Sequence, residues 1–294
     1  MIAMMGAAGN VGGKLADQLL AQGQELRVLE HMRSLDGLRA RGAEVVTGDA
    51  ANVEDLTSLF SGAGAAFVLL PENLADPRFV ANRARMSRAI ADALGQTGVP
   101  YVVALSVAGA DRADLPGPPA GLHDFEQRLA GLEDTNLLVL RQATYMDYLL
   151  ANLPLIRSRG VNASAIDGDR RFPMIATADV AREAAERLTG RDFAGHQAKL
   201  LLGPEDLTMG EATRAIGARL GLPELPYLTL PPGDVRGALV GAGMSEEAAA
   251  LLVEMQLAVG DGRFFDGVRR TAATATPTRL EEFLAQALDE GAWV

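Results

Sequence analysis

Three glycines, Gly6, Gly9 and Gly12, stand at three-residue intervals near the N-terminus, between a short apolar run and a segment with apolar residues at helical spacing. Glycine in such a turn lets backbone approach a pyrophosphate with no side chain in the way. The helix that follows presents unpartnered N–H groups and a partial positive charge. The loop GAAGNVGG, Gly6 to Gly13, which carries Ala8, Asn10 and Val11 between its glycines, is therefore expected to cradle a dinucleotide. The plain alternative is a flexible turn, and the strand-turn-helix setting argues against it.

Glu30 ends the second apolar run, 18 residues beyond Gly12, near the spacing at which an acid accepts hydrogen bonds from the adenosine ribose. Two like charges about 4 Å apart repel by roughly 4 kcal/mol at an effective dielectric near 20, so Glu30 disfavours a 2′-phosphate and favours NAD(H). His31 and Arg33 follow it, and Arg33 is close enough to rescue phosphate binding, so NADP(H) stays open. Asp49 and Ala50 follow Gly48 after the third apolar run; Asp49 either reaches the adenine amino group or is a turn aspartate. Leu69, Leu70 and Pro71 close the fourth run and are expected to line the cofactor by backbone and apolar contacts.

The groups able to move a proton are few. The only lysines are Lys14 and Lys199, and neither lies four residues after Tyr101, Tyr145, Tyr148 or Tyr227. A Tyr-Lys relay, in which an ammonium lowers a phenol pKa, is therefore not expected. Ser106 at the end of the fifth run either hydrogen-bonds a substrate oxygen or caps its own turn. His123 near a helix start is either a proton donor or a surface residue. His196 reads as structural. No HxH or HExxH pairing supports a metal, and no cysteine exists to supply thiolate ligands or nucleophiles. Met4 and Met5 read as core filling.

The elements that must position these residues alternate. Strands are expected at Ile2 to Met5, Leu26 to Leu29, Ala43 to Thr47, Ala65 to Leu70, Tyr101 to Ser106 and Asn136 to Leu140. Helices fall between them at Val11 to Gln22, Asp36 to Arg41, Val53 to Phe60, Arg78 to Thr97 and His123 to Leu132. Wholly apolar strands alternating with helices imply a doubly wound parallel α/β sheet of Rossmann type. After Arg141 the rhythm changes: Tyr145 to Arg157 reads as helix, Gly160 to Pro173 as loop, Ala178 to Thr189 as helix and Lys199 to Leu202 as a last sheet strand. Thr208 to Leu220, Val235 to Val240 and Ser245 to Leu257 read as helices around a proline-rich connector. The expected division is a dinucleotide-binding domain over 1–145, with 174–203 returning to it, and a smaller, mostly helical substrate lobe over 146–294.

The chain has 294 residues, a hydrophobic share of 48% and a formal net charge of −11. It is long enough for a domain plus a lobe. Its acidity argues against nucleic acid, whose binding leans on clustered Lys and Arg. Neither a signal peptide nor an apolar stretch of about 20 residues is evident, so a cytoplasmic protein without a membrane partner is expected.

With these residues in hand, the chain resembles the NmrA-like branch of the atypical short-chain dehydrogenases/reductases, notably its bacterial NAD(P)H:quinone oxidoreductase-like members. GAAGNVGG is similar to that family's GATGxxG. RGAEVVTGDA (Arg41 to Ala50) matches its GxxxxxGD strand and VLRQATYMDYL (Val139 to Leu149) its LRPxxFMEN segment. Further matches are TADVAREAAERLTG (Thr177 to Gly190), LLLGPEDLTMGE (Leu200 to Glu211) and TATPTRLEEFLAQ (Thr274 to Gln286). Two departures stand out. Glu30-His31 occupies the place where many relatives carry an arginine, and His123 is followed by Glu126 at three residues instead of four.

The resemblance implies NAD(P)H-dependent reduction of a small quinone or carbonyl compound held in the cleft between domain and lobe. Such an acceptor asks mainly for orientation and exclusion of water, since solvent can protonate the product. The resemblance also brings Tyr145 near the nicotinamide, where core packing is its alternative role, with Thr144 and Tyr148 beside it and Phe172 and Pro173 as further pocket residues. Two other readings remain: a non-catalytic NAD(P) sensor that binds a regulatory protein, and an epimerase or lyase that recycles bound cofactor. A homodimer is compatible with all three.

Overall fold

The apolar runs become strands and the 3.6-periodic segments become helices. In the computed structural model, which describes residues 1–31 and 33–289, the first half runs β1 Ile2–Met4, α1 Asn10–Ala21, β2 Leu26–Glu30, α2 Asp36–Ala40 and β3 Glu44–Thr47. It continues with α3 Val53–Phe60, β4 Ala65–Val68, α4 Phe79–Thr97, β5 Tyr101–Val107, α5 Ala120–Leu129 and β6 Asn136–Gln142. The second half is β7 Thr144–Tyr145, α6 Asp147–Leu150, α7 Leu153–Arg159, β8 Asn162–Ser164, β9 Phe172–Ile175, α8 Thr177–Gly190 and β10 His196–Leu201. It ends with β11 Asp206–Leu207, α9 Met209–Leu220, β12 Tyr227–Thr229, α10 Pro232–Gly241, α11 Glu246–Asp261 and α12 Leu280–Asp289.

Seven strands form one parallel sheet in the order β10-β6-β5-β4-β1-β2-β3. The chain winds outward from β1 in one direction and from β4 in the other, so β1 and β4 meet at the switch point where ligands bind such sheets. Side-chain alternation sorts the faces. Leu138 and Leu140 of β6 pack with Leu15 and Leu19 of α1 and Val180, Ala184 and Leu188 of α8. Leu137 and Val139 pack on the other face with Leu56 and Leu59 of α3, Ile90 and Leu94 of α4 and Leu129 of α5. Met4 and Met5 are fully buried, one in each face's core. The fold is therefore a Rossmann-type doubly wound parallel sheet with a smaller, mostly helical C-terminal lobe.

Two expected elements change. Tyr145 to Arg157 is not one helix: Thr144 and Tyr145 pair in parallel with Met174 and Ile175, and the Met146 N–H donates to the Ile175 carbonyl at 2.9 Å. Helix α6 then stops after one turn, and α7 restarts with Pro154 in its first turn, where a missing N–H costs nothing. The expected loop Gly160 to Pro173 contains β8 and the start of β9, because pairing with β12 and β11 supplies hydrogen bonds that local sequence does not advertise.

A further core cluster buries Met146, Ile156, Phe172, Met174, Ile216, Phe264 and Phe283 together with Val107, Ala110 and Leu115 from β5 and the segment after it. Thr208 and Glu211 form a reciprocal capping box at the start of α9. No helix among the described residues is long and apolar enough to cross a membrane.

Candidate cofactor and substrate site

The glycine loop is built for a ligand. Gly6 has φ +72°, a left-handed conformation that glycine adopts without strain, and a Cβ there would stand 2.6 Å from the Leu69 side chain. At Gly12 a Cβ would lie 2.6 Å from the Gly6 carbonyl carbon and closer still to its oxygen, so helix and turn can approach only without a side chain. Gly9 is the N-cap of α1, and no side chain caps that helix. The N–H groups of its first turn thus converge behind the exposed residues Ala8, Gly9 and Asn10. Val11 is buried and anchors the turn to the core. A pyrophosphate fits this cradle on charge and on space.

At the far end of β2, Glu30 accepts the Leu35 N–H at 2.6 Å with one carboxylate oxygen and the Thr47 hydroxyl at 3.4 Å with the other. The contacts hold the turn after β2. Each oxygen keeps a second lone pair for another donor. The Nδ1–H of His31 donates to the Gly48 carbonyl at 3.0 Å, tying the end of β2 to the end of β3, and Arg33 is exposed beside it. Asp49 performs the turn role: its carboxylate accepts the Ala51 N–H at 2.8 Å. Ala50 is fully buried in the core, so only its backbone is available to a ligand.

Leu69 lies against Gly6, as the pairing of β1 with β4 requires. Leu70 is a core residue and Pro71 is half-buried. Ser106, read from the sequence as a substrate contact or a turn cap, meets a carboxylate of the protein itself. It is buried, and its hydroxyl donates to the carboxylate of Glu126, which is clasped by Arg141 at 2.6 and 3.2 Å. Asp111 reaches the same arginine at 3.4 Å. Burial lowers the Arg141 pKa, but the hydrogen bond and charge of Glu126 outweigh it and the net shift is upward. Ser106 is thus a member of a buried ion-pair network that ties α5 to β5 and β6.

His123 is half-buried, and its Nδ1–H donates to the Ala110 carbonyl at 2.8 Å. The bond fixes the ring and leaves Nε2 as the nitrogen free to exchange a proton. Tyr145 packs against the core cluster that contains Ala7 and Val11 of the glycine loop, yet its hydroxyl is buried without a hydrogen-bond partner among the described residues. Desolvation first, then the nearby Tyr148, Glu72 and Asp147, pushes its pKa well above 10. The phenol therefore stays protonated, a donor awaiting an acceptor. The Tyr148 ring lies 5.6 Å from that of Tyr145. The Oε1 of Gln142, at the end of β6, is a second buried atom without a partner.

Around Tyr145 and Tyr148 the fold places Lys14, which sequence spacing had set aside, and Asp147, Glu72 and Arg83, which the sequence did not single out. Lys14, one turn into α1, lies 3.6 Å from Asp147, whose carboxylate also accepts the Thr177 hydroxyl at 2.9 Å. Arg83 is buried in α4; it donates to the Pro118 carbonyl at 2.7 Å, lies 3.7 Å from Glu72 and covers the Phe79 ring at 5.2 Å. Burial lowers its pKa, and Glu72 opposes that shift. A signal existed: Arg83 interrupts the buried stripe Phe79, Met86, Ile90 and Leu94. An arginine on an apolar face asks what it is paired with. No group of His, Asp and Glu suited to a metal occurs among the described residues.

A parallel sheet with an uncapped glycine cradle at its switch point defines a nucleotide-cofactor-binding α/β protein. A family model described as NAD(P)H-binding matches residues 6–191, and the chain belongs to that family. Comparison with curated proteins by sequence gives no match.

Among solved structures, an NADPH-dependent quinone oxidoreductase from Escherichia coli, complexed with NADPH, aligns with a TM-score of 0.81 at 22% identity, over 98% of this chain and 100% of that one. A triphenylmethane reductase from a Citrobacter species, complexed with NADP(H), aligns at 0.79 and 20%, over 98% and 100%. A nucleoside-diphosphate-sugar epimerase from Staphylococcus aureus aligns at 0.78 and 20%, over 96% and 99%. At such identities the likeness is one of fold.

Proposed function

We propose that the protein is an NAD(P)H-dependent reductase of a small quinone or electron-poor carbonyl compound, working without a Tyr-Lys relay. The observation that carries this reading is the buried, unpartnered hydroxyl of Tyr145. A donor left without an acceptor costs about 1–3 kcal/mol, a cost repaid when a ligand supplies the acceptor. A carbonyl oxygen is such an acceptor. When bound, a reduced nicotinamide supplies hydride. The loop Gly6 to Gly12 and the first turn of α1 would hold its pyrophosphate, and the backbone of Leu69 to Pro71 would border it.

The chain's own groups then orient and polarise the acceptor. Tyr145 donates a hydrogen bond to the carbonyl oxygen on which charge develops. Its raised pKa makes it a poor proton donor to water and a stable hydrogen-bond donor throughout the neutral range. The proton that completes the product comes from solvent, directly or by way of Nε2 of His123. Residues 146–289 supply the remaining wall of the cleft, with Tyr148, 54% exposed, at its rim. Glu30 favours NADH, because its spare lone pairs suit ribose hydroxyls and its charge opposes a 2′-phosphate.

The test is loss of NADH absorbance with a panel of quinones and enones, for the natural protein and for Tyr145→Phe. We expect turnover with at least one acceptor and a fall in kcat of about tenfold or more in the variant, the loss of one hydrogen bond to developing charge. Full cofactor binding with no turnover across the panel would remove the reductase reading and favour a dinucleotide sensor.

A further inference from the structure

In a chain of net charge −11, four arginines converge on one small cavity. Arg170, Arg171, Arg269 and Arg270 line a space of about 150 Å³ together with Phe172, Phe265 and Val268. Four separate stretches build it: β9 and the turn before it, Leu202 and Asp206 from the end of β10 to the start of β11, the C-terminal end of α11, and the segment that follows α11. The site is distinct from the glycine cradle and from Tyr145. Phe172 opens β9, whereas Tyr145 pairs with Ile175 at its other end, three residues or about 10 Å along the strand.

Two of the arginines are already spoken for. Arg270 donates to the Gly203 carbonyl at 2.9 Å and pairs with Asp206 at 2.5 Å. Arg171 donates to the Asp206 carbonyl at 2.8 Å and pairs with Glu211. The other two are not. Arg269 has only the Val268 carbonyl, at 3.0 Å, and no ion pair among the described residues involves it or Arg170. Arg170 lies flat on Gly262, where φ is +87° and a Cβ would stand 2.9 Å from its Nε. The neighbouring Asp261 pairs with Arg263 at 2.7 Å, and Arg170 acts on it only through charge, without an ion-pair contact. Asp206 is the single acid on the cavity lining, so the lining carries a net charge of 4 − 1 = +3.

The opposite wall is apolar, with the rings of Phe172 and Phe265 parallel to within 6° at 6.3 Å. A cavity near 150 Å³ admits a benzene-sized ring. Planar guanidinium groups match the fork of a carboxylate. We propose that this cavity is a binding site for a small aromatic carboxylate, separate from the dinucleotide cleft.

Benzoate is the direct probe, titrated calorimetrically into the full chain with NADH present at saturation. Benzamide, a ring without charge, and inorganic phosphate, a charge without ring, are the controls. We expect benzoate to bind and both controls to bind at least about tenfold more weakly, the ratio that follows from losing a charge-assisted hydrogen bond or the apolar contact. Arg269→Gln, on the exposed rim, should weaken benzoate by a similar factor, and Val268→Phe should abolish its binding by filling the space. NADH affinity should be unchanged in both variants. Absence of benzoate binding at millimolar concentration, equal binding of benzamide or phosphate, unaltered binding by the two variants, or competition with NADH would each overturn the proposal.

Discussion

Replacing Gly12 and Gly13 by alanine, one at a time, separates what the cofactor loop needs from what the helix needs. The two glycines are neighbours in α1, and an exposed helix interior gains about 1 kcal/mol from Gly→Ala at either position. Their surroundings differ. A Cβ on Gly13 meets nothing closer than the Ala7 carbonyl oxygen at 3.5 Å, an ordinary contact. On Gly12 it would stand 2.6 Å from the Gly6 carbonyl carbon, where no real Cβ comes within 3.0 Å, so the turn must retreat by at least 0.4 Å and further for the oxygen.

Overpacking of that kind costs about 1–3 kcal/mol, which the helix gain partly offsets, so Gly12→Ala should leave stability within about 2 kcal/mol of the natural protein. The larger loss is in binding. A retreating Gly6 carries the cradle out of register with the first-turn N–H groups, and one lost charge-assisted hydrogen bond of about 1.5–3 kcal/mol weakens NADH by roughly 10- to 100-fold. Gly13→Ala should bind NADH as the natural protein does and unfold at the same or a higher temperature. Fluorescence titration with NADH and thermal unfolding check both. Equal loss of binding in the two variants, or natural binding by Gly12→Ala, would refute the close-approach argument.

Glu30→Arg should narrow or reverse the preference for NADH over NADPH, measured as a ratio of dissociation constants; tighter NADPH binding by the natural protein would dismiss the role given to Glu30. Tyr145→Phe removes a buried hydroxyl that has no partner, so its unfolding free energy should rise by about 1 kcal/mol while activity falls, a split that a packing role alone would not give. Ser106→Ala deletes one hydrogen bond to Glu126 inside a buried network and should cost about 1 kcal/mol of stability with KM unchanged; a raised KM with natural stability would restore Ser106 as a substrate contact. Glu183 is half-buried, and although burial raises its pKa, hydrogen bonds from Lys199 and Arg187 outweigh it and hold the carboxyl below 4.5. A depressed folded pKa stabilises above the unfolded value and is lost as pH falls through the folded one. The stability advantage of the natural protein over Glu183→Gln, followed by urea unfolding, should therefore be present at neutral pH and decline progressively as the pH falls below 4.5; an advantage that grew in acid would contradict the pairing.

The sequence by itself determined the sheet and the cradle. Runs such as Ala65 to Leu70 must be buried on both faces, and only parallel strands with helices above and below do that, so six of the strands were legible within one or two residues. The spacing of Gly6, Gly9 and Gly12 between strand and helix was equally local information. What it left out depends on contacts between distant residues. Strand β10 starts at His196, three residues before the expected start at Lys199, because an edge strand can be polar where only β6 pairs with it. Tyr145 left its expected helix because Ile175, thirty residues on, offered a strand partner.

The site divided in the same way. Ser106 and Asp49 were visible as polar residues near strand ends and Tyr145 at the start of an expected helix, but only the fold decides what each one meets. Glu126 comes from α5 and binds the Ser106 hydroxyl, one oxygen of Asp49 accepts the Ala51 N–H, and no described residue reaches the Tyr145 hydroxyl. Backbone demands such as a missing Cβ are written in residue type and spacing. Whether a side chain is satisfied is set by whichever partner the tertiary structure brings within about 3 Å, and that partner is rarely a neighbour in the chain.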